Sequence, residues 1–155
     1  MINALRPYQL QVFKAVAADA TKARGSTFSV EIARQGGKNE LSARLELFLL
    51  GLNAGEPTNL VKCSPTFVPQ ALISMTRLKD RLDDAGFTGF WSGERGYVVR
   101  FGKARQIFLS AADSARVVGH TAHILLEIDE SQDARSHDRG LSRKVPHFPL
   151  EPHGA

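Results

Sequence analysis

An alternating segment, a double-glycine turn and a run of helix formers follow one another directly between residues 28 and 50. That order constrains the fold more than any other feature of the chain. Phe28, Val30 and Ile32 alternate with Ser29 and Glu31, the pattern of a short strand. Gly36-Gly37 breaks the pattern within Ala33-Arg34-Gln35-Gly36-Gly37-Lys38-Asn39. From Lys38 to about Leu50, Leu41, Leu45, Phe48 and Leu49 share one helical face, and Gly51 reads as a stop. A strand, a tight turn and a helix in this order make the repeating unit of an α/β fold, whose parallel strands need such crossovers.

The rest of the chain fits that class. Pro7 suits the first turn of a helix, and Leu10, Phe13, Val16 and Ala20 follow at helical spacing up to Gly25. Leu60 to Ser64 reads as a second strand, ended by Pro65. Pro69 opens an amphipathic helix through Leu72, Met75, Leu78, Leu82 and Ala85, stopped by Gly86. Residues 97–101 and 106–110 flank Gly102-Lys103-Ala104-Arg105, the mark of a hairpin or two adjacent strands. Residues 111–119 are ambiguous between a short helix and a loop. His123 to Ile128 is the most apolar strand, as expected of a central strand buried on both faces. The expectation is an α/β domain over 1–133, with a largely parallel sheet flanked by helices, followed by an irregular or disordered tail over 134–155. Ligands of such sheets sit at the carboxyl ends of the strands.

At 155 residues the length is that of one domain with a core of useful size. No apolar run reaches the roughly 18 residues of a membrane span, and Met1-Ile2-Asn3-Ala4 lacks the layout of a secretory signal. Cys63 is the only cysteine, which excludes an internal disulfide and suits a reducing cytoplasm. The net charge of +4 is compatible with polyanion contact without requiring it. His137, His147 and His153 match no compact ligand spacing and read as part of a solvated tail.

Two places carry chemistry. A glycine turn that enters a helix points successive backbone N–H groups into one concavity, where the helix adds its positive end. Gly36 and Gly37 allow that shape, and Lys38 can reach the β- and γ-phosphates of a nucleotide. Against the standard Gly-x4-Gly-Lys-Ser/Thr pattern, Ile32 stands at the first glycine and Asn39 at the magnesium-binding hydroxyl. The second place is the end of Ile124-Leu125-Leu126-Glu127-Ile128-Asp129-Glu130. An Asp that ends a buried strand can ligate Mg²⁺, and the Glu beside it can polarise an attacking water.

With these motifs in order, the chain resembles the N-terminal ATPase domain of tailed-phage terminase large subunits. Leu5-Arg6-Pro7-Tyr8-Gln9 resembles the adenine-binding segment, with Gln9 on the base. Ala33 to Asn39 resembles the divergent terminase phosphate loop, in which a small residue and Arg stand in place of the first glycine. Ser64-Pro65-Thr66 with Gln70 resembles the motif after the second strand. Ser114-Ala115-Arg116 and Gly119-His120-Thr121-Ala122 resemble the approach to the acidic motif Ile128-Asp129-Glu130-Ser131-Gln132-Asp133. The resemblance spans roughly residues 3–133.

The resemblance implies a P-loop NTPase fold of the RecA-like kind, incomplete at its C-terminus, with ATP and Mg²⁺ as cofactors. It places Gln9, Arg34, Gln35, Gly36, Gly37, Lys38 and Asn39 on the nucleotide, and Asp129 and Asn39 on the metal. Glu130 would activate water, and Arg34 would act on the γ-phosphate as an arginine finger from the same subunit. Double-stranded DNA, a small terminase subunit, a portal protein and a ring of identical subunits are the implied partners, in the host cytoplasm during phage assembly or from a prophage. The chain leaves the family pattern after Asp133, and no acidic cluster for two-metal DNA cleavage follows. Two other readings stand beside this one. A superfamily 2 helicase-like ATPase shares the Gln segment, the phosphate loop and the Asp-Glu pair. A non-catalytic remnant that only binds nucleotide or DNA would account for Asn39 and the missing glycine.

Overall fold

The computed structural model describes residues 4–111 and 119–130. Within them lie helices α1 (Pro7–Thr21), α2 (Lys38–Leu52) and α3 (Leu72–Asp84). The strands are β1 (Asn59–Ser64), β2 (Trp91–Glu94), β3 (Val98–Phe101), β4 (Ala104–Ser110) and β5 (Leu125–Ile128). They form an open five-stranded sheet in the order β2-β3-β4-β1-β5. Strand β1 pairs in parallel with β4 and with β5, whereas β3 pairs antiparallel with both β2 and β4. The sheet is therefore mixed rather than largely parallel. The hairpin expected around Gly102 supplies its antiparallel half, extended by β2, whose Trp-Ser-Gly-Glu has no apolar alternation to announce it.

Successive side chains along the strands turn to opposite faces of the sheet. Leu60 of β1, Val99 of β3, and Ala104 and Phe108 of β4 join Leu45, Leu49 and Leu50 of α2 and Met75, Leu78 and Leu82 of α3 in the main core. Val16 and Ala17 of α1 complete it. Each fully buried leucine of this set contributes on the order of 2 kcal/mol from desolvation. Val61, Val98, Ile107 and Leu109, on the opposite sheet face, form a second and smaller cluster. Helices α1 to α3 thus pack through one side of the sheet, the side that also carries Lys62 by strand alternation.

Three expectations need correction. Residues 28–32 do not form a strand: Ser29 makes a single bridge and its neighbours are irregular. Phe28 packs against the main core, but Val30 is exposed and no ladder forms along the segment. Strand β5 is shorter than expected and is not buried on both faces. It pairs with β1 alone among the described residues, and Leu126 and Ile128 stand 57% and 54% exposed. Helix α2 runs on through Gly51 to Leu52 and is closed at Asn53. The tail over 134–155 and residues 112–118, with Ser114, Ala115 and Arg116, lie outside the described residues. No helix among the described residues is long and apolar enough to cross a membrane.

Candidate functional site

The glycine loop is shaped by its own sequence and by the start of α1. Residues 34–36 turn, and the Gly36 N–H donates to the Ala33 carbonyl at 2.8 Å. A Cβ at Gly36 would lie 2.7 Å from that same carbonyl oxygen and against the Ile32 side chain. Gly37 has φ +80°, and a Cβ there would lie 2.5 Å from the Gln9 amide nitrogen. Gln35 also takes a positive φ, of 61°. Two glycines are therefore required by space at one position and by backbone conformation at the other.

The loop is braced from below. Gln9 is buried; its Nε2 donates to the Gly36 and Gly37 carbonyls at 3.2 and 3.0 Å, and its Oε1 accepts from the Arg6 N–H at 2.8 Å. Tyr8 Oη donates to the Gly36 carbonyl at 2.6 Å. Both amide atoms of Gln9 are thus engaged by the chain itself, Nε2 in holding the loop and Oε1 in closing the start of α1. The loop carbonyls are held toward α1. Gly37 caps α2 without a side-chain hydrogen bond, and its carbonyl accepts from the Glu40 and Leu41 N–H groups at 3.1 and 3.0 Å.

Lys38, at the first position of α2, meets Asp129 just past β5: Nζ to Oδ1 is 2.5 Å, with the lysine side chain 42% exposed and the aspartate 9%. The Asp129 N–H donates to the Cys63 carbonyl at 2.9 Å, which prolongs the β1–β5 pairing and fixes the carboxylate at the strand end. Glu130 follows with φ 53°. Its Oε2 accepts from Gln70 Nε2 at 3.1 Å, while Gln70 Oε1 accepts from the Thr66 N–H and hydroxyl at 3.0 Å each. The sequence motif after β1 is therefore tied through Gln70 to the acidic pair.

The structure brings together Gln9, Gly36, Gly37, Lys38 and Asp129, and it sets Glu130 beside Asp129. Asn39 sits in the first turn of α2, half-buried. Arg34 and Gln35 are exposed on the turn. A cavity of about 550 Å³ opens beside the loop, lined by Arg6, Gln9, Gly37, Glu40, Arg77 and Arg81. Glu40 holds Arg44 Nε at 2.7 Å, Arg77 Nη1 at 3.4 Å and Arg81 Nη1 at 3.6 Å, an arrangement that joins α2 to α3. Burial works against its charge, but Arg44, Arg81 and Arg77 together hold its carboxyl below the ordinary value. The cavity wall carries more arginine than carboxylate.

Beneath Lys38 and Asp129 lies a buried cluster that no sequence motif announces. Lys62 of β1 is 2% exposed, with Nζ 2.6 Å from Ser42 Oγ, 3.0 Å from Glu127 Oε1 and 3.6 Å from Glu46 Oε1. Ser42 in turn donates to Glu127. Burial pushes the Glu46 carboxyl up to about 8, with Lys62 opposing and Glu127 reinforcing the shift. Burial alone would lower the Lys62 pKa, but Glu46 and Glu127 outweigh it and raise the value. A serine within hydrogen-bond reach of a lysine has the outline of a nucleophile and its base. Both side chains are enclosed, and the carboxylates around the amine favour its protonated form, which does not suit a base. The available signal in the sequence was a lysine inside an apolar strand, between Val61 and Cys63, and a glutamate inside an apolar helix face.

Among the described residues, no group of three or more His, Cys, Asp or Glu side chains gathers around a metal position. A magnesium ion on a nucleotide needs no such group. It takes one or two carboxylates, phosphate oxygens and water. The single carboxylate Asp129 beside an open loop fits that donor set. No family model matches the chain, and no curated protein or solved structure matches it significantly.

Proposed function

We propose that this chain is a nucleoside triphosphate-binding ATPase domain of the kind found in terminase large subunits, where such a domain powers the packaging of viral DNA. The observation that carries the reading is the ion pair between Lys38 and Asp129. The glycine-loop lysine and the strand-end aspartate are far apart in sequence, and their convergence is what a triphosphate site requires. The mixed α/β sheet and the parallel β4-β1-β5 portion are compatible with a P-loop NTPase.

Each part of the site has a place in that chemistry. The N–H groups at the start of α2 and the Lys38 ammonium bind the phosphates. The cavity beside Gly37 would take the nucleoside, with Arg6 just before α1 and Arg77 and Arg81 of α3 on its wall. Asp129 would hold Mg²⁺, shared with Asn39 of the first turn of α2; the ion would neutralise phosphate charge and orient the terminal group. When triphosphate is absent, Lys38 and Asp129 neutralise each other, and binding exchanges that pair for phosphate and metal. Glu130, steadied by Gln70, takes the proton of the attacking water. Arg34 lies exposed on the loop and serves a transferring γ-phosphate by turning inward.

Phosphate release with and without Glu130→Gln tests this reading. Wild-type protein hydrolyses ATP in the presence of Mg²⁺, and the variant keeps nucleotide affinity while release falls by about 10²-fold or more. Release unaffected by the substitution overturns the role of Glu130. A second reading, binding without turnover, is favoured by Asn39 in place of a hydroxyl. It predicts nucleotide binding with no release in either protein.

A further inference from the structure

We propose that Lys62 is the positioning residue of this site. Its buried ammonium holds Ser42 of α2 and Glu127 of β5 together, and so fixes the strand end that carries Asp129 against the helix start that carries Lys38. The inference rests on the nucleotide-site reading for its consequence, though not for its geometry. Ser42 lies one helical turn beyond Lys38, and Glu127 lies two residues before Asp129 on the same strand face. Lys62 is the register partner of Glu127 in the β1–β5 ladder, and Cys63, the next residue, accepts the Asp129 N–H. Every displacement of the cluster is therefore carried directly to the two residues above it.

Stability alone does not account for such a cluster. Replacing a buried ion pair with apolar side chains of similar volume is commonly neutral or stabilising, whereas fixing one arrangement against others is the best-attested use of buried charge. Here the cost is plain: Glu46 Oε2 is buried without a hydrogen-bond partner, beside a lysine almost wholly removed from water. The gain is directional. Strand β5 is four residues long and pairs only with β1 among the described residues. Besides the Lys38–Asp129 and Gln70–Glu130 contacts just past its end, it is linked to the helix layer by the packing of Leu125 and its neighbour Ile124 and by the Ser42–Glu127–Lys62 contacts. Apolar packing tolerates sliding, whereas two short polar contacts to one ammonium, closed by the Ser42–Glu127 hydrogen bond, do not.

The test compares Lys62→Met, Lys62→Arg and the double variant Lys62→Met/Glu127→Gln, which leaves no carboxylate of β5 unpaired if the single variant fails to fold. Amide hydrogen exchange is measured on the nucleotide-free full chain. Residues 125–129 lose protection in both methionine variants, the amides of β3 and β4 keep theirs, and Lys62→Arg restores part of the loss. Wild-type protection of β5 in the double variant, or an equal loss in every strand, overturns the inference. The second readout is affinity for a fluorescent ATP analogue with and without Mg²⁺. Lys62→Met/Glu127→Gln loses about 10-fold or more of the magnesium-dependent gain, as expected when a group behind a metal ligand is removed. Its magnesium-free affinity changes little. An unchanged magnesium-dependent gain contradicts the positioning role. Should wild-type protein bind no nucleotide, the functional reading falls while hydrogen exchange still decides whether Lys62 orders β5.

Discussion

At the scale of single residues, the molecule places charge where it is hardest to keep. Glu46 is 1% exposed, and burial raises its carboxyl to about 8 from an ordinary value of 4.5. A carboxyl held above its unfolded value binds more protons in the folded state, so stability is fullest at low pH and falls as pH rises from about 5 through 8. Lys62 shifts in the same sense, so its contribution is likewise lost as pH rises, but only above the ordinary lysine range. Glu46→Gln should therefore match wild-type stability at pH 5 and exceed it at pH 8.5, by on the order of 1–3 kcal/mol. Thermal denaturation across that range checks this, and parallel curves for the two proteins would refute it. Lys38, Asp129 and Glu130 were legible in the sequence because their chemistry is tied to local context, a glycine turn or a strand end. Lys62 was not. Its partners Ser42, Glu46 and Glu127 come from two other elements, and neither spacing nor periodicity reports a meeting across a fold.

At the scale of elements, the loop and the helix it enters obey different rules. Gly37→Ala meets both a left-handed backbone and the Gln9 amide, so about 1–2 kcal/mol of backbone strain adds to the loss of the brace. Gly51→Ala, inside α2 with nothing within 4 Å of the new Cβ, should instead stabilise by about 0.5–1 kcal/mol. Denaturant unfolding of the two variants measures the contrast, and equal effects would remove the case for a shaped loop. Gly51 also shows why one boundary was misread: a glycine ends a helix only when the backbone turns there, and this one remains helical. The alternation of Phe28, Val30 and Ile32 was read as a strand for a similar reason. Alternation records which side chains turn inward, as Phe28 does, but a strand also needs a hydrogen-bonding neighbour along its edge. Conversely, β2 formed without alternation because Val98 to Phe101 offered it a partner.

At the scale of the whole molecule, helices on one sheet face bring two distant segments to the carboxyl end of β1 and β5. The sequence order of glycine loop and acidic strand predicted that meeting, and the α/β class with it. The sheet order did not follow from the same signals: an apolar run states how much a strand can bury, not where it sits, and β5 lies beside β1 with one face open. In the proposed function the loop and the strand end form one triphosphate site. Calorimetric titration of a non-hydrolysable ATP analogue into the wild-type chain and Lys38→Ala, each with and without Mg²⁺, tests it most directly. A shared site gives saturable binding strengthened by Mg²⁺ in the wild type, and at least about a 10-fold loss, near 1.4 kcal/mol, in the variant. Equal affinity of the two proteins, or no binding by the wild type, would contradict it.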